Sequence, residues 1–118
     1  KNNGGKMTIN IQNVEEAKET IKTNDIVLFM KGTKDMPGCG FSANVVQILN
    51  NLNVKYIDID VLSDDNFKES MKKFTNWPTF PQLYVKGEFV GGCDIVKEMF
   101  ESGELLELFN TKGIDVKT

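Results

Sequence analysis

Between residues 14 and 110 the apolar positions alternate between helical and strand spacing. Asn13 precedes "VEEAKETIKT", with Glu15 and Glu16 next to it. An asparagine caps free N–H groups and acidic residues suit the positive end of the dipole, so a helix is expected over 14–23. "IVLFM", 26–30, is an unbroken run of β formers and reads as a buried strand. "KGTKDMPG", 31–38, has two glycines and a proline and reads as a long loop. Phe41, Val45, Ile48, Leu49 and Leu52 recur at helical spacing, which predicts an amphipathic helix over about 39–52. "VKYIDIDV", 54–61, alternates as a second strand does. Ser63 is the expected cap of a helix over about 64–74, with Phe67, Met71 and Phe74 on one face. "TNWPTFP" is loop, and "QLYV" and "EFV", joined through Lys86 and Gly87, read as a hairpin. Asp94 opens a helix to about 101, Gly103 interrupts, and "ELLELF" supports a last short helix.

The order α-β-α-β-α-β-β-α-α implies an α/β fold with a mixed four-stranded sheet flanked by helices. A thioredoxin-like layout fits: two parallel strands joined by a helix, then an antiparallel hairpin and a closing helix. At 118 residues the chain is expected to form one domain over 14–110. A flexible leader is expected over 1–13 and a polar, loose tail over 111–118. "KNNGGK" at the start reads as part of that leader or as the scar of a removed segment.

Composition narrows the function. A net charge of −3 argues against nucleic-acid binding, and the longest apolar run is too short for a bilayer. The absence of histidine excludes Cys-His pairs, histidine proton shuttles and histidine metal ligation. Two cysteines do not make a secreted disulfide scaffold, and a reducing compartment fits better.

The chemistry concentrates in three loops that such a sheet would bring together. "PGCGFS" puts Cys39 at a helix start, where unpaired N–H groups and the dipole favour a thiolate, and Lys31 adds positive charge. Gly38 and Gly40 imply a close backbone approach beside it. "WPTFP" places Pro81 at the start of a strand, where a cis bond would present backbone groups to a peptide-like ligand. "GGCD" offers Gly92, Cys93 and Asp94 as an anchor for a zwitterion, with N–H groups for its carboxylate and Asp94 for its ammonium. Asp94 also serves as an ordinary N-cap on this reading. Cys93 stays open between core residue, disulfide partner of Cys39 and part of the ligand site. Trp77 is given a packing role and no chemistry.

With "FMKGT", "PGCGFS" and "NWPTFPQLYVKGEFVGGCDIV" in this order, the chain closely resembles the monothiol glutaredoxins of the CGFS type over about 14–110. The resemblance implies a thioredoxin fold, glutathione binding and a [2Fe–2S] cluster shared between two subunits of a homodimer. It also implies cluster delivery to iron–sulfur acceptor proteins, with a BolA-like partner. Residue by residue, it makes Cys39 the cluster ligand and redox thiol and sets Lys31 against glutathione. Thr79, Phe80 and Pro81 become the backbone contact, and Gly92, Cys93 and Asp94 the hold on the γ-glutamyl end. Lys68 falls where many relatives have an arginine facing the glycyl carboxylate; lysine keeps the charge but loses the planar fork. The family's single-domain members imply the mitochondrial matrix, with the cytosol as the alternative.

A dithiol enzyme resolves its mixed disulfide with a second cysteine, and Ser42 stands where that cysteine would be. A single thiol needs an external one to finish the cycle. For a cluster that takes four thiolates, two Cys39 and two glutathiones complete an exchangeable set. The preferred expectation is therefore a cluster carrier. The alternative is a glutathione-dependent thiol–disulfide oxidoreductase using Cys39 alone, and a third reading is a sensor that forms a Cys39–Cys93 disulfide.

Overall fold

The computed structural model describes residues 13–116, so most of the expected leader and the last two residues of the expected tail lie outside the described part. The elements are α1 (Val14–Thr23), β1 (Ile26–Met30), α2 (Gly40–Leu52), β2 (Ile57–Asp60), a 3₁₀ turn (Val61–Ser63), α3 (Asp65–Thr75), β3 (Gln82–Val85), β4 (Glu88–Gly91), α4 (Cys93–Ser102) and α5 (Glu104–Thr111). The strands form one sheet in the order β2-β1-β3-β4. β1 and β2 are parallel, with Val27 opposite Ile57 and Met30 opposite Asp60. β3 runs antiparallel to β1 and pairs with β4 as a hairpin. Lys86 and Gly87 turn it with φ of 51° and 84°, the two left-handed positions of a primed turn that matches strand twist. This is the thioredoxin-fold arrangement expected from the element order.

The unbroken apolar run of β1 follows from its central place. Ile26, Leu28 and Met30 pack on one side with Val45, Leu49, Val96, Leu105 and Phe109. Val27 and Phe29 pack on the other with Ala17, Ile21, Phe67 and Met71. Each large side chain so buried contributes about 1.5–3 kcal/mol. With both ends of β1 fixed by helices and sheet, its C-terminal end delivers the chain into the loop that leads to Cys39.

Several local expectations are revised. Asn13 does cap α1, accepting from the Glu16 N–H at 2.9 Å. β2 is shorter than 54–61, because a parallel ladder cannot outrun the five-residue β1 beside it. Ser63 does not cap α3: its hydroxyl donates to Asp60 O within the 3₁₀ turn, and Asp64 Oδ1 takes the Phe67 N–H at 3.1 Å instead. Phe74 is 41% exposed, with the Lys18 ammonium 5.3 Å from its ring, so it is not on the buried face. After α5 the chain does not come loose at once. Ile114 is buried in the core, and Lys112 Nζ lies 3.2 Å from Glu88 Oε1.

Candidate functional site

Cys39 is the N-cap of α2, and its sulfur does the work of a capping side chain: Sγ accepts from the Ser42 N–H at 3.4 Å. Ser42 is completely buried. Its Oγ accepts from the Lys31 N–H at 3.1 Å and from the Cys39 thiol at 3.5 Å, and its hydroxyl can turn to donate to the sulfur once that is a thiolate. Partial burial pushes the Cys39 thiol up, but the Ser42 hydroxyl and N–H, the Phe41 N–H and the charge of Lys31 outweigh it. The net effect holds the thiol below its ordinary value.

Beside this cap lies a cleft of about 330 Å³, within the range of small-ligand sites. Lys31 and Phe41 line it from the Cys39 side. Trp77, Thr79, Phe80 and Pro81 line it from the loop before β3, where the Phe80–Pro81 bond is cis. Gly92, Cys93, Asp94 and Ile95 line it from the start of α4. The three loops singled out in the sequence therefore meet. Neither Lys68, on α3, nor Cys39 is among the lining residues; Cys39 is linked to the cleft through the Phe41 N–H and the charge of Lys31.

Each loop is shaped by its own residues. Gln82, wholly buried at the start of β3, donates through Nε2 to Trp77 O at 3.2 Å and to Thr79 O at 3.1 Å, so it holds up the "WPTFP" loop. α4 begins on Gly92 with no side-chain cap, which leaves its first-turn N–H groups for a ligand. Asp94 is thus not the N-cap; it sits one residue inside the helix. A Cβ on Gly92 would meet Trp77 Nε1 at 3.2 Å and Pro81 O at 3.3 Å, so this position needs glycine to bring the second and third loops together. Among the described residues neither the Lys31 ammonium nor the Asp94 carboxylate has an ion-pair partner, and the cleft offers one free charge of each sign.

The glycines flanking Cys39 have different explanations from the one expected. At Gly38 the close approach is by the chain's own Lys31 carbonyl, 3.2 Å from where a Cβ would lie; at Gly40 there is open space. Sequence reasoning missed Phe41, Ser42 and Ile95 as parts of the site. Its spacing puts Phe41 on the core face of α2, yet at the first turn of that helix it is 63% exposed and lines the cleft. Ser42 was read only as a missing cysteine; its place at the third position after a cap was the signal for its hydrogen bonds. Cys39 and Cys93 are both free thiols. Among the described residues no three His, Cys, Asp or Glu side chains gather as a metal site, and no helix is long and apolar enough to cross a membrane.

The family model described as Glutaredoxin matches residues 26–90. The chain is 60% identical over 94 residues to a probable monothiol glutaredoxin 2 of Rickettsia typhi, covering 80% of this chain and 85% of that one. It is 55% identical over 87 residues to the chloroplastic monothiol glutaredoxin-S14 of Arabidopsis thaliana, covering 74% of this chain and 50% of that one. Among solved structures it superposes on a monomeric truncated mutant of Trypanosoma brucei 1-C-Grx1 with a TM-score of 0.83 and 38% identity, covering 92% of this chain and 98% of the other.

Proposed function

We propose that this chain, which belongs to the glutaredoxin family and to its monothiol members, binds glutathione in the cleft and uses Cys39 as its share of a subunit-bridging [2Fe–2S] cluster that it passes to acceptor proteins. The observation that carries this reading is a thiol held below its ordinary value by residues that themselves line a cleft with a free cation and a free carboxylate, and with a buried serine where a resolving thiol would stand. In this reading Lys31 meets a glutathione carboxylate and the backbone at Thr79 and Phe80, before Pro81, pairs with the peptide. The N–H groups at Gly92 and Cys93, with Asp94, hold the γ-glutamyl end, and Lys68 acts from outside the cleft on the glycyl carboxylate.

The donor chemistry fits half of a cluster site. One chain offers two partly exposed thiols, Cys39 and Cys93, and no group of three ligands among the described residues, so the other half of the set comes from outside or from Cys93. Two such chains and two glutathione thiolates make the four that the cargo takes. Half of those ligands are exchangeable, which suits transfer more than storage. The resemblance alone supplies the BolA-like partner and the mitochondrial matrix. The chloroplastic name of the Arabidopsis relative belongs to that protein and lends the mitochondrial matrix no support. Anaerobic reconstitution with iron, sulfide and glutathione tests the reading. A coloured dimer that needs both glutathione and Cys39 is expected; a colourless monomer overturns it.

The lowered thiol also favours a second reading, a glutathione-dependent oxidoreductase. The Cys39 thiolate attacks the glutathione sulfur of a mixed disulfide, forming Cys39–S–S–glutathione and releasing the other thiol, which takes up a proton. A second glutathione thiolate then attacks that disulfide, yields oxidised glutathione and restores the Cys39 thiolate. Turnover of glutathionylated substrates that vanishes in Cys39→Ser supports this reading.

A further inference from the structure

Lys31 reaches the site on loop 31–38, and what holds that loop lies on β2, outside the site. Internally the loop is closed. The Gly38 N–H donates to Lys31 O at 2.7 Å, and Thr33 and Met36 exchange two backbone bonds of 3.1 Å each. A loop closed on itself still turns as a unit about its ends unless a neighbour ties it down. Asp60, the last residue of β2, supplies that tie: its Oδ1 accepts from the Gly32 N–H at 2.9 Å and from the Leu62 N–H at 2.8 Å. Asp58 Oδ2 adds a bond from the Lys34 N–H at 2.8 Å, and Lys34 Nζ donates to Tyr56 O at 3.1 Å.

The two bonds of Asp60 go to Gly32, which adjoins Lys31, and to Leu62. The backbone at Gly32 suits only glycine. Its φ is 86°, and a Cβ there would lie 2.5 Å from both Gly38 N and Met36 O. Leu62 lies against Gly38, the residue before Cys39, with Cδ1 3.2 Å from where a Gly38 Cβ would be. One carboxylate oxygen therefore fastens the residue after Lys31 to the turn that abuts the residue before Cys39. Both bonds are charge-assisted, roughly twice as strong as neutral ones.

We propose that Asp60 is a positioning residue for the thiol site: acting through Gly32 and Leu62, its carboxylate sets where Lys31 stands relative to Cys39. The inference rests on Cys39 being the working thiol of the reading above, but not on glutathione or a cluster being its ligand. The test is the rate at which iodoacetamide alkylates Cys39 near neutral pH, followed on the Cys39 peptide by mass spectrometry. The proteins compared are wild type, Asp60→Ala, Asp60→Asn, Lys31→Ala and the Asp60→Ala/Lys31→Ala double variant. Asp60→Ala is expected to slow alkylation about threefold. Asp60→Asn, which keeps an acceptor oxygen but makes bonds about half as strong, is expected to slow alkylation less than Asp60→Ala and to loosen the Gly32 and Leu62 N–H groups. In the Lys31→Ala background Asp60→Ala is expected to make no further difference, which a general loosening of the fold would not reproduce.

A wild-type rate in folded Asp60→Ala, or an equal slowing with and without Lys31, overturns the proposal. If Asp60→Ala does not fold, amide exchange in Asp60→Asn decides. Faster exchange at Gly32 and Leu62 with Leu28 unchanged supports it, and unchanged exchange at Gly32 overturns it. Glutathione titration of the wild type by calorimetry keeps the two readings apart: no binding would sink the glutathione reading and leave the alkylation result to stand or fall alone.

Discussion

At the scale of single residues, Ser42 has the most to do for its size. Its hydroxyl joins the backbone of Lys31 to the sulfur of Cys39, so Ser42→Ala removes a stabiliser of the thiolate and an acceptor for a part-buried N–H. The Cys39 thiol is expected to titrate higher, which absorbance of the thiolate near 240 nm against pH would register. Stability is expected to fall by about 1–3 kcal/mol, the cost of an unsatisfied buried group. The pH dependence of stability has a defined sign. The thiol is held below its ordinary value in the folded protein, so its contribution is fully present above the unfolded value, near 9.0, and fades as pH falls through the lowered folded value. Denaturant titrations of wild type and Cys39→Ser are expected to diverge as pH rises through that window and to run parallel above it. Gly92→Ala is a steric test of the cleft itself: a Cβ 3.2–3.3 Å from Trp77 Nε1 and Pro81 O is tighter than ordinary contact and shifts the start of α4 against the loop before β3. Weaker glutathione binding by calorimetry with a fold still native by circular dichroism is the expected result.

At the scale of elements, the helices and strands were largely legible because each announces itself locally. Asn13 and the run "IVLFM" carry enough information to place α1 and β1 to the residue. Where two local signals competed, tertiary contacts chose between them: Asp64 rather than Ser63 caps α3 once Ser63 is drawn into the 3₁₀ turn. The alternation of 54–61 marks a strand, and Asp58 and Asp60 on it hold the loop that precedes Cys39. Alternation marks such residues as polar but is blind to a partner 24 to 28 positions away. Gln82 is the same kind of residue in β3. Gln82→Leu leaves the carbonyls of Trp77 and Thr79 without their donor, and a loss of about 1–3 kcal/mol is expected. For a domain of this size that lowers the melting temperature by about 4–8 °C per kcal/mol, measurable by thermal denaturation.

At the scale of the whole molecule, the closing helices do more than finish the chain. Leu105 and Phe109 of α5 and Ile114 beyond it complete the core on one side of the sheet. A chain ended after Thr111 would lose Ile114, whose burial is worth about 1.5–3 kcal/mol, and the exposed Lys112–Glu88 pair, worth about 0–1 kcal/mol. The truncated protein is expected to keep its fold by circular dichroism but to melt lower, against the expectation of a loose tail. The cleft also belongs to this scale. Its three walls come from the ends of β1, β3 and β4, and the sheet order alone brings them side by side.

Period and local chemistry, acting over a few residues, were enough to determine the elements, their order, the fold class and the motifs that mark Cys39, the "WPTFP" loop and the start of α4. They also determined that one thiol stands where a redox turn would carry two, because that is a matter of covalent structure. Tertiary structure decided what each side chain meets. It left Phe41 exposed at the cleft, turned Ser42 into the partner of the sulfur, and moved the cap of α4 from Asp94 to Gly92. It also aimed Asp60 at the loop that carries Lys31. The physical reason is range. Backbone propensity and capping act within a turn, whereas burial and hydrogen-bond partners across the sheet depend on which distant segments the fold sets against each other.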